Sequence, residues 1–136
     1  MDGMDLSICK FTPATNILEF SAAVRPIYIY RNGVMERFKT VPYSIGGAFK
    51  QMVKPYELNT WEVKAGDNVF LFSDGYGDQS GGEKGKKYST ARMGIFLTSI
   101  AELPSNEQTE KMAQEFYAWK GEYEQVDDVL LISIKF

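Results

Sequence analysis

The sequence predicts an α+β fold, a mainly antiparallel β-sandwich with two helices packed on one side. Short apolar segments separated by turn residues fill the first half of the chain, two segments with helical spacing follow, and a further apolar segment ends it. Aromatic residues make up 14% of the chain and favour strands, because they fit a pleated, half-buried surface. Hairpins followed by helices and a returning strand are typical of an α+β domain.

The composition is that of one globular domain, and we expect residues 1–136 to form it. The chain is 44% hydrophobic and 24% charged, as in folded proteins. A net charge of −3 without a basic stripe disfavours nucleic-acid binding, and no apolar stretch is long enough to cross a bilayer. We therefore expect a cytoplasmic protein.

Cysteine and histidine content limits the chemistry. Cys9 is the single cysteine, which excludes an intrachain disulfide and a cysteine-rich zinc site. Histidine is absent from the sequence, which excludes Ser-His-Asp and Cys-His catalysis. Any metal ion would be held by carboxylate and carbonyl oxygens, the ligands that suit Mg²⁺, Mn²⁺ and Ca²⁺.

Two hairpins are predicted in the first third of the chain. The second is the clearer, because Asn32-Gly33 favours the positive φ values of a type I′ turn. The predicted strands of the two hairpins cover residues 6–11, 17–22, 27–31 and 34–40.

The middle of the chain predicts a third hairpin between two loops. Its strands cover 58–63 and 68–72 and are joined by the turn 64–67. Residues 42–55 precede it as a loop. Residues 73–88 follow it, and because they are polar and rich in glycine we expect a long loop without regular elements.

Two helices come next. Apolar residues recur at helical spacing over 90–103, where Pro104 ends the pattern, and again over 105–120. Ser105 and Gln108 predict a capping box at the start of the second helix. The apolar stripe of that helix is interpreted as core packing.

The last strand is predicted over 129–136. This segment is nearly apolar throughout. Strands of that kind are buried on both faces, so we expect it in the middle of a sheet.

Asp74 is the most informative polar residue, because it follows the apolar strand 68–72 directly after Ser73. A carboxylate at the end of a buried strand is held on a rigid element, a suitable position for a metal ligand. Gly75 allows the backbone to turn sharply or to approach an ion closely. The alternative is an aspartate that only ends a turn.

A second pair of acids, Asp127 and Asp128, comes directly before the segment 129–136. Adjacent carboxylates beside an apolar strand repel each other and lose hydration unless a cation compensates. If the strands 68–72 and 129–136 are neighbours, Asp74 and Asp127 converge on one hard cation, with Asp128 pointing away. Such a cation activates water, which favours phosphoester hydrolysis. A solvated strand start is the alternative interpretation.

Three lysines lie in the glycine-rich segment: Lys84, Lys86 and Lys87. Their charge would attract a phosphorylated substrate. The alternative is a loop whose charges are simply solvated.

Several segments, taken in order, resemble the SpoIIE-type phosphatases of the protein phosphatase 2C superfamily. The ordered set, with its spacing, is specific and runs the length of the chain. It consists of Asp2-Gly3-Met4-Asp5, the Ile-Gly-Gly of 42–47, Lys64-Ala65-Gly66-Asp67, Phe72-Ser73-Asp74-Gly75 and Gln125-Val126-Asp127-Asp128-Val129.

The resemblance implies the fold, the reaction and the site. It assigns Asp74 and Asp127 as metal ligands and Gly75, Asp78 and Asp128 as loop support. Two Mn²⁺ or Mg²⁺ ions would be bridged by a water that attacks phosphoserine or phosphothreonine directly. The substrate would be a phosphorylated regulatory protein, such as an anti-sigma antagonist in bacterial signalling.

One departure from the family is expected to matter. The family takes its bridging ligand from an Asp-Gly pair on a strand before the Asp2–Asp5 segment, where this sequence starts. We therefore expect an N-terminally truncated domain that is inactive alone and forms a homo-oligomer through exposed sheet surface. The alternatives are a noncatalytic protein-interaction remnant of such a domain and a generic ligand-binding β domain.

Overall fold

The computed structural model describes residues 3–38, 40–46 and 55–136. The predicted α+β class is confirmed: two antiparallel sheets stack as a sandwich, and helices cover one of them. In chain order the elements are β1 Leu6–Thr12, β2 Ile17–Ala23, β3 Ile27–Arg31, β4 Val34–Phe38, β5 Asn59–Glu62, β6 Asn68–Phe72, α1 Asp74–Asp78, β7 Ser80–Gly81, β8 Lys86–Lys87, α2 Thr90–Ile100, α3 Ser105–Lys120 and β9 Leu131–Lys135.

The strands form two main sheets and one small ribbon. One sheet has the order β1-β2-β5, and the other has the order β4-β3-β6-β9. Strands β7 and β8 pair with each other. Every pairing between these strands is antiparallel. Both residues of the β3–β4 turn have positive φ, 49° at Asn32 and 84° at Gly33, as the sequence predicts.

Alternating residues of β3 and β6 supply two cores, one on each face of the four-stranded sheet. One face of these strands packs against β2 of the other sheet, and the opposite face packs against α2 and α3. The core between the sheets contains Leu18, Phe20, Ile27, Ile29, Val63 and Val69. The core beneath the helices includes Tyr28, Tyr30, Phe70, Phe72, Met93, Leu97, Met112 and Phe116.

The glycine-rich segment contains regular elements, so the prediction of an unstructured loop over 73–88 is wrong. It forms α1, β7 and β8. Buried aromatic side chains hold it: the Tyr76 hydroxyl donates to the Met112 carbonyl at 3.0 Å, and the Tyr76 and Tyr88 rings lie 5.2 Å apart. Tertiary packing therefore outweighs the low intrinsic propensity of glycine.

The third predicted hairpin is also wrong. Strand β5 pairs with β2 in one sheet, whereas β6 pairs with β3 and β9 in the other. The intervening segment carries the chain from sheet to sheet, and Val63 N–H donates to the Asn16 carbonyl at 2.8 Å instead of closing a hairpin. Turn chemistry between two strands does not determine which sheet each strand joins.

Strand β9 lies at an edge in the strand order of the described residues, not in the middle of a sheet as predicted. One face is covered through α3, where Leu131 packs on the helical core. On the other face Ile132 and Ile134 keep 39% and 37% of their surface exposed. The sandwich is therefore open beside β9, and the apolar residues on this face of the strand are only partly covered.

The helix ends differ from the predictions in detail. The two predicted helices are present as α2 and α3, but the capping box of Ser105 and Gln108 is not formed, because Pro104 holds the cap position. The Gln108 amide is buried instead, where it donates to the carbonyl of Leu103 and accepts from Asn68. Within the described residues, no helix is long and apolar enough to span a membrane.

Candidate functional site

Hydrogen bonds of Ser73 join the end of β6 to the segment before β9. Its N–H donates to the Leu130 carbonyl at 3.0 Å. Its hydroxyl donates to the Asp128 carbonyl at 2.7 Å and accepts from the Leu130 N–H at 2.9 Å. The β6–β9 neighbourhood that the sequence analysis required is therefore confirmed, and the two acidic segments lie side by side.

The close contact at Gly75 fixes how near the two segments come. A Cβ built at this buried glycine would lie 2.4 Å from the Asp128 carbonyl oxygen and 3.1 Å from a Val129 methyl group. Close approach of the backbone, rather than turn geometry, therefore requires glycine here. Gly75 and Asp128 are therefore in backbone contact, while their role in supporting a site stays a prediction.

The carboxylates of Asp74 and Asp5 both pair with the guanidinium of Arg25. Arg25 Nη2 donates to Asp5 Oδ2 at 2.9 Å and also to Asp74 Oδ2. The side chains of Arg25, Asp5 and Asp74 are 24%, 26% and 37% exposed. Two carboxylates from distant parts of the sequence thus converge on one cationic group that solvent can reach.

Asp5 is held by the loop that follows β4. The Ser44 hydroxyl donates to Asp5 Oδ1, and the Ser44 carbonyl accepts from the Tyr56 hydroxyl at 3.2 Å. Met4 and Ile45 exchange two backbone hydrogen bonds of 2.8 and 2.9 Å. The Met4–Asp5 part of the first motif therefore pairs with the Ile45 part of the second, while Asp2 and Gly47 of these motifs lie outside the described residues.

A pocket of about 310 Å³ opens beside these groups. Its polar wall includes Asp5, Arg25, Ser73 and Asp74, and its apolar wall includes Ile132 of β9. The volume is at the lower end of the range for small-molecule pockets. It is large enough for a phosphoryl group.

The C-terminal acids are exposed and reach the site through their backbone. The Asp127 carboxylate accepts from the Asp128 N–H at 2.8 Å, and both residues are exposed. The structure brings the Asp128 backbone against Ser73 and Gly75. Metal ligation by Asp127, and an outward orientation of Asp128, stay predictions.

The predicted phosphate-contacting lysines lie on the β7–β8 ribbon. Lys84, Lys86 and Lys87 are all exposed. Lys87 Nζ lies 3.0 Å from Asp78 Oδ2, which gives Asp78 an ion pair in the loop. A role for the three lysines in substrate binding stays a prediction.

Two residues of this site were not predicted as site residues, Asp5 and Arg25. Asp5 belongs to the segment Asp2-Gly3-Met4-Asp5, whose resemblance to the family is a signal that could have found it. Arg25 carries no local signal, because it meets Asp74 only through a contact 49 positions apart in the chain. Long-range pairs of this kind follow from the sheet arrangement.

Two carboxylates, Asp5 and Asp74, meet at this site. Among the residues that the structure describes, no group of three or more acidic, histidine or cysteine side chains converges. Asp5 and Asp74 nevertheless hold a cationic guanidinium between them, which shows that this position favours positive charge. Carboxylate oxygens are the ligands that Mn²⁺ and Mg²⁺ prefer, so Asp5 and Asp74 are of the chemical type that would suit such an ion.

Comparisons with known proteins identify the family and the fold. The family model of Stage II sporulation protein E (SpoIIE) matches residues 3–136. The chain is similar to the SiaA-PP2C domain of Pseudomonas aeruginosa, with 26% identity and a TM-score of 0.86 over 97% of this chain and 51% of that one. No curated protein sequence matches.

Two further structures share the fold at lower identity. The SpoIIE phosphatase domain of Bacillus subtilis is 15% identical, with a TM-score of 0.70 over 96% of this chain and 57% of that one. The RsbU and RsbW domains of a Mycobacterium tuberculosis protein are 14% identical, with a TM-score of 0.72 over 96% of this chain and 35% of that one. The chain thus spans about half the length, or less, of the structures it matches.

The family match and the sandwich with its helices lead to one conclusion: the chain belongs to the SpoIIE family and has the fold of PP2C-type phosphatase domains.

Proposed function

We propose that this chain carries part of the site of a metal-dependent protein phosphatase that removes phosphate from phosphoserine or phosphothreonine on a regulatory protein. The observation that supports it best is at the end of β6, where the carboxylates of Asp5 and Asp74 both pair with the guanidinium of Arg25. Asp74 and Asp127 would hold Mn²⁺ or Mg²⁺. When bound, the ion supplies Lewis-acid activation of water and neutralises phosphate charge.

The other residues of the site position these groups. Ser73 and Gly75 keep the Asp128 backbone against the end of β6, so the segment carrying Asp127 stays beside Asp74. The exposed Lys84 and Lys86 add positive charge that would draw a phosphorylated substrate towards the molecule.

A phosphorylated regulatory protein such as an anti-sigma antagonist is the proposed substrate, in a bacterial cytoplasmic signalling pathway. Family membership and the structural likeness to the RsbU and RsbW domains support this class. Because the chain spans about half the length of its relatives, we propose that it hydrolyses little substrate alone.

Metal binding tests the proposal most directly. Mn²⁺ binding to the 136-residue chain is measured by electron paramagnetic resonance. The affinity should fall by more than about tenfold in both Asp74→Asn and Asp127→Asn, because loss of even a residue that hydrogen-bonds a metal ligand lowers metal affinity about 10–100-fold. Asp78→Asn is the matched control, because Asp78 pairs with Lys87. Equal Mn²⁺ affinity in Asp74→Asn and the unchanged chain would sink the assignment.

A second candidate is a noncatalytic interaction domain. The exposed apolar residues of β9 and the edge position of that strand favour it. A chain that binds no Mn²⁺ but associates through this surface would support the second candidate over the first.

A further inference from the structure

Arg25 uses only part of its hydrogen-bonding capacity. A guanidinium has five N–H donors. Nη2 of Arg25 donates to Asp5 and Asp74, whereas Nε and Nη1 have no acceptor among the residues that the structure describes. The side chain is 24% exposed and lines the pocket at the end of β6. Unused donors of a charged group therefore lie in the wall of this pocket, without an acceptor among the described residues.

The backbone before Arg25 is held in a conformation that places this side chain. Val24 has a φ of 65°, and the Arg25 N–H donates across it to the Ala23 carbonyl at 2.7 Å, as in a γ-turn of positive φ. Such a φ is an outlier for a β-branched residue and persists only where surrounding structure enforces it. Here Val24 N–H donates to Val41 at 2.9 Å, and the Thr40 hydroxyl donates to the Val24 carbonyl at 3.1 Å.

The two carboxylates beside Arg25 are not equivalent. Asp5 accepts from the Ser44 hydroxyl in addition to Arg25, so it is anchored independently of the end of β6. Asp74 is the more exposed of the two, and Arg25 is its ion-pair partner among the described residues. If Asp74 turns to a divalent ion, Asp5 still keeps the guanidinium at the pocket.

This inference rests on the proposed function and adds a residue to it. We propose that Arg25 is the phosphate-contacting residue of the pocket, and that its guanidinium, held by Asp5, donates its unused N–H groups to the phosphoryl oxygens of the substrate. A guanidinium suits this role because its charge is permanent and its planar donors match phosphate oxygens. Asp74 is then released for the metal.

Two binding measurements on the full chain test the proposal. Inorganic phosphate and a phosphoserine peptide are titrated calorimetrically in saturating Mg²⁺, and Mn²⁺ binding is measured separately. Arg25→Gln should weaken phosphate binding by about tenfold or more, the value of one charge-assisted hydrogen bond. Its Mn²⁺ affinity should stay equal or rise, because a cation competing for Asp74 is lost. Arg37→Gln removes the same charge from an exposed residue near Tyr28 and should change neither.

The opposite directions of these effects separate a ligand contact from a structural role. Parallel loss of phosphate and Mn²⁺ binding in Arg25→Gln, or phosphate binding unchanged within about twofold, overturns the proposal. Should Arg25→Gln not fold, Arg25→Lys decides: it should weaken phosphate binding at least about threefold while Mn²⁺ still binds, and unchanged phosphate binding in this variant counts against the proposal. Failure of the unchanged chain to bind Mn²⁺ sinks the proposed function instead.

Discussion

Both Nε and Nη2 of Arg31 donate to the buried carboxylate of Asp67, with the Nε contact at 2.7 Å. The same carboxylate accepts from the Trp61 indole at 3.0 Å and from the Lys64 N–H at 2.9 Å. Arg31 belongs to one sheet and Trp61 to the other, and the Asp67 carbonyl accepts from the N–H of Phe136 after β9. The hydrogen bonds of Asp67, in the Gly66-Asp67 motif, therefore link the two sheets.

Replacing Asp67 by asparagine should destabilise the fold strongly. The substitution keeps the shape but leaves Arg31 without its anionic partner, and breaking a buried pair costs about 3–5 kcal/mol. Because Arg31 is partly exposed and can regain hydration, we expect the free energy of unfolding, measured by urea denaturation, to fall by about 3 kcal/mol. Asp78→Asn breaks the exposed pair with Lys87 and should cost less than about 1 kcal/mol. Equal losses in the two variants would contradict the role of Asp67.

The same carboxylate makes stability depend on pH. Burial raises the pKa of Asp67, but the hydrogen bonds from Arg31, Lys64 and Trp61 and the charge of Arg31 outweigh it, so the net pKa is lowered. Asp67 therefore binds a proton more readily in the unfolded chain than in the folded one. The stabilisation that ionised Asp67 gives to the folded chain is present in full above the ordinary aspartate pKa of about 3.9. It is lost as the pH falls through the lower folded value.

Urea denaturation between pH 7 and pH 3 checks this pH dependence. At each pH the midpoint of the unchanged chain is compared with that of Asp67→Asn. The difference between the two chains should be constant above about pH 5 and shrink below about pH 4. A difference that grows on acidification would contradict the sign of the shift.

Gly75→Ala should disturb the junction of β6 and β9. The new methyl group would lie 2.4 Å from the Asp128 carbonyl oxygen, which is backbone and cannot move aside cheaply. We expect a loss of about 1–3 kcal/mol, as for overpacked cores, together with weaker Mn²⁺ binding. Gly94→Ala is the control: its Cβ would meet only Tyr28, at 3.5 Å, so the helix should gain about 0.5–1 kcal/mol. A neutral Gly75→Ala would remove the argument for close approach.

Hydrolysis of p-nitrophenyl phosphate by this chain with Mn²⁺ should be negligible. Two-metal hydrolysis needs both ions clamped around the nucleophile, and the described residues hold no group of three or more acidic side chains. Asp74→Asn should therefore show the same background rate as the unchanged chain. Robust turnover that Asp74→Asn abolishes would show that these residues complete the site.

Local patterns in the sequence predicted the parts of the fold that local chemistry decides. Asn32-Gly33 determines its hairpin because both residues accept positive φ. The position of Asp74 after β6 could be predicted because an apolar strand gives way there to an acid and a glycine, while its role as a metal ligand stays a prediction. The helical stripe of Met112 and Phe116 is buried as core, as interpreted.

Long-range pairing limited the rest. The turn before Asp67 looks like a hairpin loop, but hydrogen bonds to Arg31 and Phe136 make it a crossing between sheets. The same limit applies to Arg25, which no periodicity connects with Asp5 or Asp74. Apolar composition in β9 indicates burial against something, without saying whether the neighbour is a strand, a helix or another chain.

Two copies of the chain are expected to associate through the open side of the sandwich. Ile132 and Ile134 are 39% and 37% exposed on the β9 face that carries Val69 and Leu71 of β6, and Leu130 is 56% exposed beside them. Strand edges with unpaired backbone groups and apolar side chains favour pairing with another chain.

We expect a symmetric dimer in which β9 of each copy covers the other, burying on the order of 1,600 Å² in total. Light scattering at micromolar concentration should give twice the mass of the chain. Ile134→Lys should yield a monomer, because a charge on this face opposes burial, whereas Ile95→Lys on the exposed side of α2 should leave the dimer intact. A stable monomer of the unchanged chain would contradict association through β9, and would show that the open side of the sandwich is tolerated in water.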